Sequence, residues 1–324
     1  MEVLRTLPDK CVDLVLTDPP YFRVVSNEWD RQWKDIFEFQ KWVGEIGTEL
    51  QRVMKDNASL YWFGDDKTIA YCQVELDKSF HLINSLIWEK PSPLSCKGIM
   101  QNRSFASSTE RILFYEKKGS NGRPETGNEK IHSMPENFQS IKDFMRRERD
   151  KLMESKGFKT KKEVGDFLTK LLGHTAHSHY FSDSQFCIPN KENYKKLRST
   201  GFFHREYEDL RRIWNPHPDA LDVLEYCTVP GELHPTQKPI PLISFLMERS
   251  SKEGDLILDP FSGSGTTAIA AHRLGRRFIC IEKDADYYAA SVERLHRERQ
   301  QLQLPGLLAG PEPQQGSLWE RRGN

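Results

Sequence analysis

Residues 256–271 read LILDPFSGSGTTAIAA, and this stretch limits the possible folds of the chain tightly. Leu256-Ile257-Leu258 is short, apolar and partly β-branched, as core strands are. It runs into Asp259 and the small-residue loop Gly263-Ser264-Gly265, after which Thr266-Thr267 opens a helix. Glycines at such a junction let the backbone turn tightly and approach a ligand closely. A strand turning into a helix in this way begins an α/β unit.

The same rhythm recurs on both sides of a long middle segment. Strand patterns at 12–17, 59–63, 82–88 and 111–115 alternate with helical spacing at 35–55 and 68–79. After the middle segment, helices at 239–250, 266–274 and 285–299 alternate with strands at 255–258 and 277–281. Such alternation predicts a largely parallel sheet. Residues 119–232 break the rhythm: a Gly/Asn/Pro-rich linker leads into helical spacing at 141–154 and 162–172, with helix-turn-helix character expected around Lys161–Phe181. The domain reading is therefore 1–118, an insertion at 119–232, a second half at 233–304, and a tail at 305–324 with the composition of a disordered segment.

Net charge says nothing about partners, since 47 lysines and arginines balance 47 acids over 324 residues. Its distribution does. Between Phe138 and Arg212 there are 17 basic and 11 acidic residues, an excess that suits a polyanion but also a solvated helical surface. The six cysteines form no C-x-x-C pair, which points to free thiols in a reducing compartment. With no membrane-length apolar run and no signal-peptide pattern, the expected location is the cytoplasm.

Two places carry chemistry. The Gly263–Gly265 loop has neither the G-x-x-x-x-G-K-[ST] of a P-loop nor the third glycine of a dinucleotide fingerprint. Glu282 ends the next strand, where a carboxylate can accept hydrogen bonds from both hydroxyls of a ribose. A nucleoside without a pyrophosphate fits, and S-adenosylmethionine is the common ligand of that kind. The second place is LTDPPYF, residues 16–22. Pro19 and Pro20 end the strand and stiffen the turn beyond it. Read alone, Asp18-Pro19-Pro20-Tyr21 fits a plain tight turn as well as a site.

Together, DPPY at 18–21, HPTQKP at 234–239 and DPFSGSGTT at 259–267 resemble the amino-methyltransferases of DNA. The order, catalytic half before cofactor half with a long insertion between, is similar to the β class. The resemblance covers roughly 8–118 and 233–295. It implies a Rossmann-like S-adenosylmethionine-dependent fold in circularly permuted motif order, with a mostly helical target-recognition insertion. It also implies methyl transfer to N6 of a flipped-out adenine, or to N4 of cytosine, without metal or covalent intermediate. An aspartate at position 18 leans towards adenine. A catalytically silent DNA-binding homologue is the reading from another class.

By that resemblance, Asp18 and the Pro19 carbonyl accept the N–H bonds of the target amine on the rigid Pro19-Pro20 turn, and Tyr21 (or Phe22) stacks on the base. Asp259, Phe261, Gly263, Ser264, Gly265 and Thr266 shape the cofactor loop, and Glu282 holds the ribose. His234, Thr236 and Lys238 border the methionine end, with Lys238 or Thr236 meeting the cofactor carboxylate. DNA is the implied partner; a homodimer and a cognate restriction enzyme are compatible with the class. Members usually carry a further short strand and a Gly-Asp pair before the first motif, whereas Met1 here falls almost on it.

Weaker signals remain open. Asp65, after Gly64, falls at a strand's C-terminal end, where ligands gather. Trp88-Glu89-Lys90-Pro91 resembles a family stretch near the target base, although a strand stop reads the same. Lys195, Lys196 and Arg198 are phosphate candidates, as is Arg103 in a loop that could equally be solvated. His174, His177 and His179 lack a cysteine or carboxylate at zinc spacing and read as DNA contacts or plain surface.

Overall fold

The structure is a computed structural model, and it describes residues 1–23, 30–90, 108–117, 138–182, 189–210, 217–229 and 237–302. Arg103, His234, Thr236, the 119–137 linker and the tail from 303 lie outside these residues.

Seven strands form one sheet: β1 (Val12–Thr17), β2 (Met54–Gly64), β3 (Phe80–Glu89), β4 (Thr109–Lys117), β5 (Val223–Glu225), β6 (Leu256–Asp259) and β7 (Arg277–Cys280). Their order is β5-β3-β4-β2-β1-β6-β7. Four of the pairings are parallel, and β4 runs antiparallel to both neighbours, β2 and β3. The strand β5 has only three residues and comes from the middle segment, too short to show a period in sequence.

The strand β1 lies between β2 and β6, with Leu14 opposite Ile257 and Val15 opposite Leu258. Helix α1 (Glu2–Thr6) precedes β1; from β1 the chain passes through helix α2 (Ile36–Val53) towards β2, and from β6 it passes through α8 (Thr266–Arg273) towards β7. The two crossovers leave in opposite directions, and in such sheets the crevice between the diverging strand ends is where ligands bind.

Alternation of side chains divides the core. Val15, Leu60, Trp62, Leu113 and Leu258 pack with Phe39, Val43 and Leu50 of α2 on one face. On the other, Leu14, Tyr61, Phe63, Ile112 and Ile257 meet α7 (Ile240–Ser250) and Ala270 and Ala271 of α8. This is the period of two that a strand imposes.

A third cluster belongs to the middle segment, where Phe144, Leu152, Val164, Leu168, Tyr194 and Phe203 surround their own centre. Its helices are α4 (Phe138–Lys156), α5 (Lys161–Leu172) and α6 (Lys191–Arg198). The expected helix-turn-helix at 161–181 is not what forms. Helix α5 ends at Gly173 in the left-handed conformation (φ 80°), and residues Ala176–Phe181 form a 3-10 turn rather than a second helix. Among the described residues no helix is long and apolar enough to cross a membrane.

Candidate active site

The turn that leaves β1 is held from several sides. Asp30, almost fully buried, accepts the Tyr21 N–H at 2.9 Å, and its own carbonyl accepts the Arg23 N–H at 2.7 Å. Phe22 and Arg23 both have left-handed backbones, at φ 68° and 63°, which costs non-glycine residues energy and persists only where neighbours enforce it. Phe22 packs into the core beside Phe39 and Trp33. Tyr21 and Phe22 both line a cavity of about 1320 Å³.

One wall of that cavity is an ionic cluster. The Lys238 ammonium, 5 % exposed, donates to Asp18 Oδ2 and lies 3.4 Å from Glu110 Oε2. Lys90 Nζ meets Glu110 Oε1 at 2.6 Å. The Tyr21 hydroxyl donates to Asp18 Oδ1 and is 3.2 Å from Glu110 Oε2. The rings of Tyr21, Phe63 and Trp88 stand 5.5, 5.6 and 6.0 Å from Lys238 Nζ, close enough for cation–π attraction.

Burial pushes Asp18 up from its ordinary range against the pull of Lys238. Burial also pushes Glu110 up, but Lys238 and Lys90 outweigh it and leave that carboxylate low. Lys238 is opposed by burial too, and the two carboxylates keep its ammonium charged.

The loop after β6 also lines the cavity, and Thr266 Oγ1 at its end donates to the Lys238 carbonyl at 3.3 Å. Asp259 accepts from Thr17 Oγ1 (3.2 Å), Thr267 Oγ1 (2.6 Å) and the Phe261 N–H (3.1 Å), tying the ends of β1 and β6 together. Burial raises its pKa to about 7 in spite of those donors. Glu282 accepts the Gly263 N–H and the Asp284 N–H, each at 2.8 Å, so the end of β7 is fixed against the loop. Gly265 caps α8 in the left-handed region, and a Cβ there would stand 2.9 Å from Ser291 Cβ.

Asp18, Pro19, Pro20, Tyr21, Asp259, Phe261, Gly263, Ser264, Thr266, Lys238 and Glu282 all border the one cavity, and Asp65 and Lys90 do so as well. Lys238 is engaged with Asp18 and Glu110. On α6, Lys195 is exposed, Lys196 pairs with Glu192 at 3.2 Å, and Arg198 pairs twice with Glu206 at 2.7 and 3.0 Å. His177 is no surface residue: it is buried, and its Nε2 pairs with Thr169 Oγ1 at 2.8 Å. The half-buried His174 accepts from Asn193 Nδ2 at 3.0 Å. Glu110 and Asp30 went unsuspected in the sequence; an acid at the head of the apolar run ERILFY was the one available hint for Glu110.

Residues 12–293 match the profile of a family described as DNA methylase. The chain belongs to that family. It is 26% identical over 317 residues to the type II methyltransferase M2.MboI of Moraxella bovis, spanning 91% of this chain and 85% of that one. It is 25% identical over 295 residues to the DNA adenine methyltransferase YhdJ of Escherichia coli (strain K12), spanning 90% and 79%. Among solved structures, the cytosine-N4-specific PvuII DNA methyltransferase has a TM-score of 0.50 at 14% identity, over 93% of this chain and 89% of that one.

As a DNA methylase of the N6/N4 group, the protein takes S-adenosylmethionine as methyl donor. The residues present fit that cofactor. A left-handed glycine loop, the aromatic Phe261 and a carboxylate at the end of the adjacent strand share one wall of a cavity large enough for a nucleoside and a second ring.

Proposed function

We propose that this DNA methylase methylates the N6 amine of an adenine flipped out of the duplex. The observation that carries the reading is that the Asp18 turn and the Gly263–Glu282 loop open on the same cavity at the β1/β6 crevice. An aspartate at the head of the first motif supports adenine over cytosine.

S-adenosylmethionine, when bound, supplies an electrophilic methyl group on a sulfonium. The chain supplies the rest. The adenine amine is a poor nucleophile because its lone pair is delocalised into the ring. Asp18 and the Pro19 carbonyl accept its two N–H bonds and favour a pyramidal nitrogen with the lone pair directed at the methyl. Those acceptors help most as positive charge develops on the nitrogen. Methylation of the nitrogen breaks the sulfonium S–CH3 bond and leaves the spent cofactor as a neutral thioether, and the nitrogen's surplus proton leaves to Asp18 or to water.

Tyr21 stacks on the base and offsets part of the unstacking cost; Phe22, which packs against Trp33 and Phe39 at the edge of the same cavity, is the second candidate for that role. Glu282 holds the ribose, while Asp259, Phe261, Gly263, Ser264, Gly265 and Thr266 shape the loop around it. The middle segment, with its own core and basic excess, reads the DNA. Likeness to a type II methyltransferase supports a role opposite a restriction endonuclease.

The test uses purified protein, methyl-labelled S-adenosylmethionine and unmethylated genomic DNA, digested to nucleosides, with Asp18→Ala alongside. Label in N6-methyladenosine that disappears in the variant is the expected result. Label in N4-methylcytosine would keep the mechanism and change the base. No label despite cofactor binding would overturn the reading.

A further inference from the structure

We propose that Lys238 reads the target base: with the amine on Asp18, its ammonium donates to the ring nitrogen beside that amine, and Glu110 is the positioning residue that keeps it there. The inference rests on the methyltransferase reading above and assigns Lys238 to the base rather than to the cofactor carboxylate.

Three observations meet at this side chain. First, Lys238 arrives from just before α7, 220 residues after Asp18 in sequence, yet its nitrogen lies directly on Asp18 Oδ2. An acceptor and a strong donor therefore stand side by side on the wall of the cavity that both residues line. Second, the ammonium is 5 % exposed and ringed by Tyr21, Phe63 and Trp88. Little water competes there for a hydrogen bond, so a base entering beside Tyr21 meets a desolvated donor whose partner matters. Third, Glu110 is held by Lys90 at 2.6 Å and stands 3.4 Å from Lys238 Nζ. When the amine claims Asp18, Glu110 still anchors the ammonium in place.

An acceptor beside a donor is the complement of a specific base edge. On the Watson–Crick edge, by which a flipped base is read, adenine presents the N6 amine as donor and N1 as acceptor, and cytosine presents N4 and N3 in the same order. Guanine and thymine present the reverse, a carbonyl oxygen beside a ring N–H. On those bases Asp18 would face an oxygen and Lys238 an N–H, two unpaired contacts in a desolvated site. The Asp18–Lys238 pair thus admits amino bases and rejects keto bases, independently of what the middle segment reads. An ammonium also fits this task better than a neutral donor, since the two carboxylates nearby keep it charged.

The experiment is a cycle between one side chain and one substrate atom. Wild type, Lys238→Met and Glu110→Gln are assayed on an oligonucleotide carrying the mapped site, with the target adenine intact or replaced by 1-deazaadenine, which lacks the N1 acceptor. If the mapped base is cytosine, 3-deazacytosine takes that part. We expect wild type to lose about tenfold or more in kcat/KM on the deaza base. Lys238→Met should lose a similar factor on adenine and little further on the deaza base, and Glu110→Gln should show a reduced deaza penalty. Cofactor affinity, measured by calorimetry, should stay within a few-fold of wild type.

Additive losses would overturn the inference and leave Lys238 as a counterion of Asp18 alone, as would a cofactor affinity that collapses with intact folding. Should Lys238→Met not fold, Lys238→Arg keeps the charge but moves the donor, and a deaza penalty unchanged from wild type would overturn the proposal. Failure of wild type to methylate the unmodified oligonucleotide is a separate result that removes the proposed function, and this inference with it.

Discussion

Thr68 Oγ1 lies 2.8 Å from the carbonyl oxygen of Tyr21 and also against Asp65 Oδ1, so its one proton is shared between these two acceptors. The start of α3 (Ile69–Leu76) is thereby fastened to the far end of the Asp18–Tyr21 turn, and Asp65 Oδ1 accepts the Thr68 N–H at 3.0 Å from behind. A left-handed pair, Phe22 and Arg23, comes immediately after the turn, so loss of this anchor lets the turn relax. Thr68→Val keeps the shape and removes the donor. Methyl transfer should fall about tenfold, since small misplacements of a reacting group are costly, while cofactor affinity stays unchanged. Equal kcat in variant and wild type would show that Asp30 alone suffices.

Asp259 gives the protein a pH-dependent stability of unusual sign. Its carboxyl has a pKa of about 7 when folded, against 3.8 as the ordinary value. Between those values the folded state holds a proton that the unfolded chain has released. Stability from this group is therefore fully present below about 3.8 and is lost as pH rises through about 7. The total is on the order of 4 kcal/mol, one pKa unit being about 1.4 kcal/mol. Asp259→Asn should flatten the decline, which denaturant unfolding at several pH values between 5 and 8 would measure. Parallel curves for both proteins would mean that Asp259 is ionised in the fold throughout.

Where the sequence was legible, the reason is local. β1, β2 and β6 are apolar runs ending in Pro or Gly, and the α2 stripe keeps its helical spacing over five turns. The Gly263–Gly265 loop announces itself because only glycine takes φ values of 46° and 76° without strain. Glu110, Lys90 and Trp88 were harder for a physical reason. They sit at the ends of β3 and β4, and only the placement of antiparallel β4 between β3 and β2 brings them to Asp18. Nothing in a single strand encodes that order. The pairing of Lys238 with Asp18 is of the same kind. It depends on β6 settling beside β1, although the motif containing the lysine was visible. His177 misled because a histidine-rich run looks polar, while its fate depended on Thr169, one helix earlier.

The middle segment can be tested through Tyr194. This buried hydroxyl hydrogen-bonds the carbonyl oxygens of Phe203 (3.1 Å) and Arg205 (3.0 Å), and Glu148 Oε2 accepts the Phe203 N–H at 3.1 Å. Phe203 itself is left-handed at φ 61° and fully buried. Tyr194→Phe leaves the buried Phe203 carbonyl and the part-buried Arg205 carbonyl without the donor they share and should cost about 1–3 kcal/mol. Glu148→Ala strands the Phe203 N–H and should cost a similar amount. The two effects should be non-additive, since both act on one turn. Additive thermal destabilisation would mean that the turn is held elsewhere.

Two glycines in the same backbone region separate strain from close approach. Gly157 (φ 69°) has nothing within 4 Å of where a Cβ would lie, whereas at Gly265 (φ 76°) the Cβ would come within 2.9 Å of Ser291 Cβ and 3.5 Å of Ser291 Cα. Alanine at either position bears the left-handed penalty of about 1–2 kcal/mol. At Gly265 it must also push α9 (Ala285–Leu302) away from the head of α8, where Arg294 Nη1 donates to the Ser264 carbonyl at 2.9 Å. Gly265→Ala should therefore destabilise the protein by more than Gly157→Ala, and it alone should weaken cofactor binding, because the loop that moves is the one tied to Glu282. Thermal unfolding and cofactor titration of both variants decide the matter. Equal losses of stability would mean that α9 yields freely, and an unchanged cofactor affinity in Gly265→Ala would mean that the loop between β6 and α8 binds without the help of its last glycine.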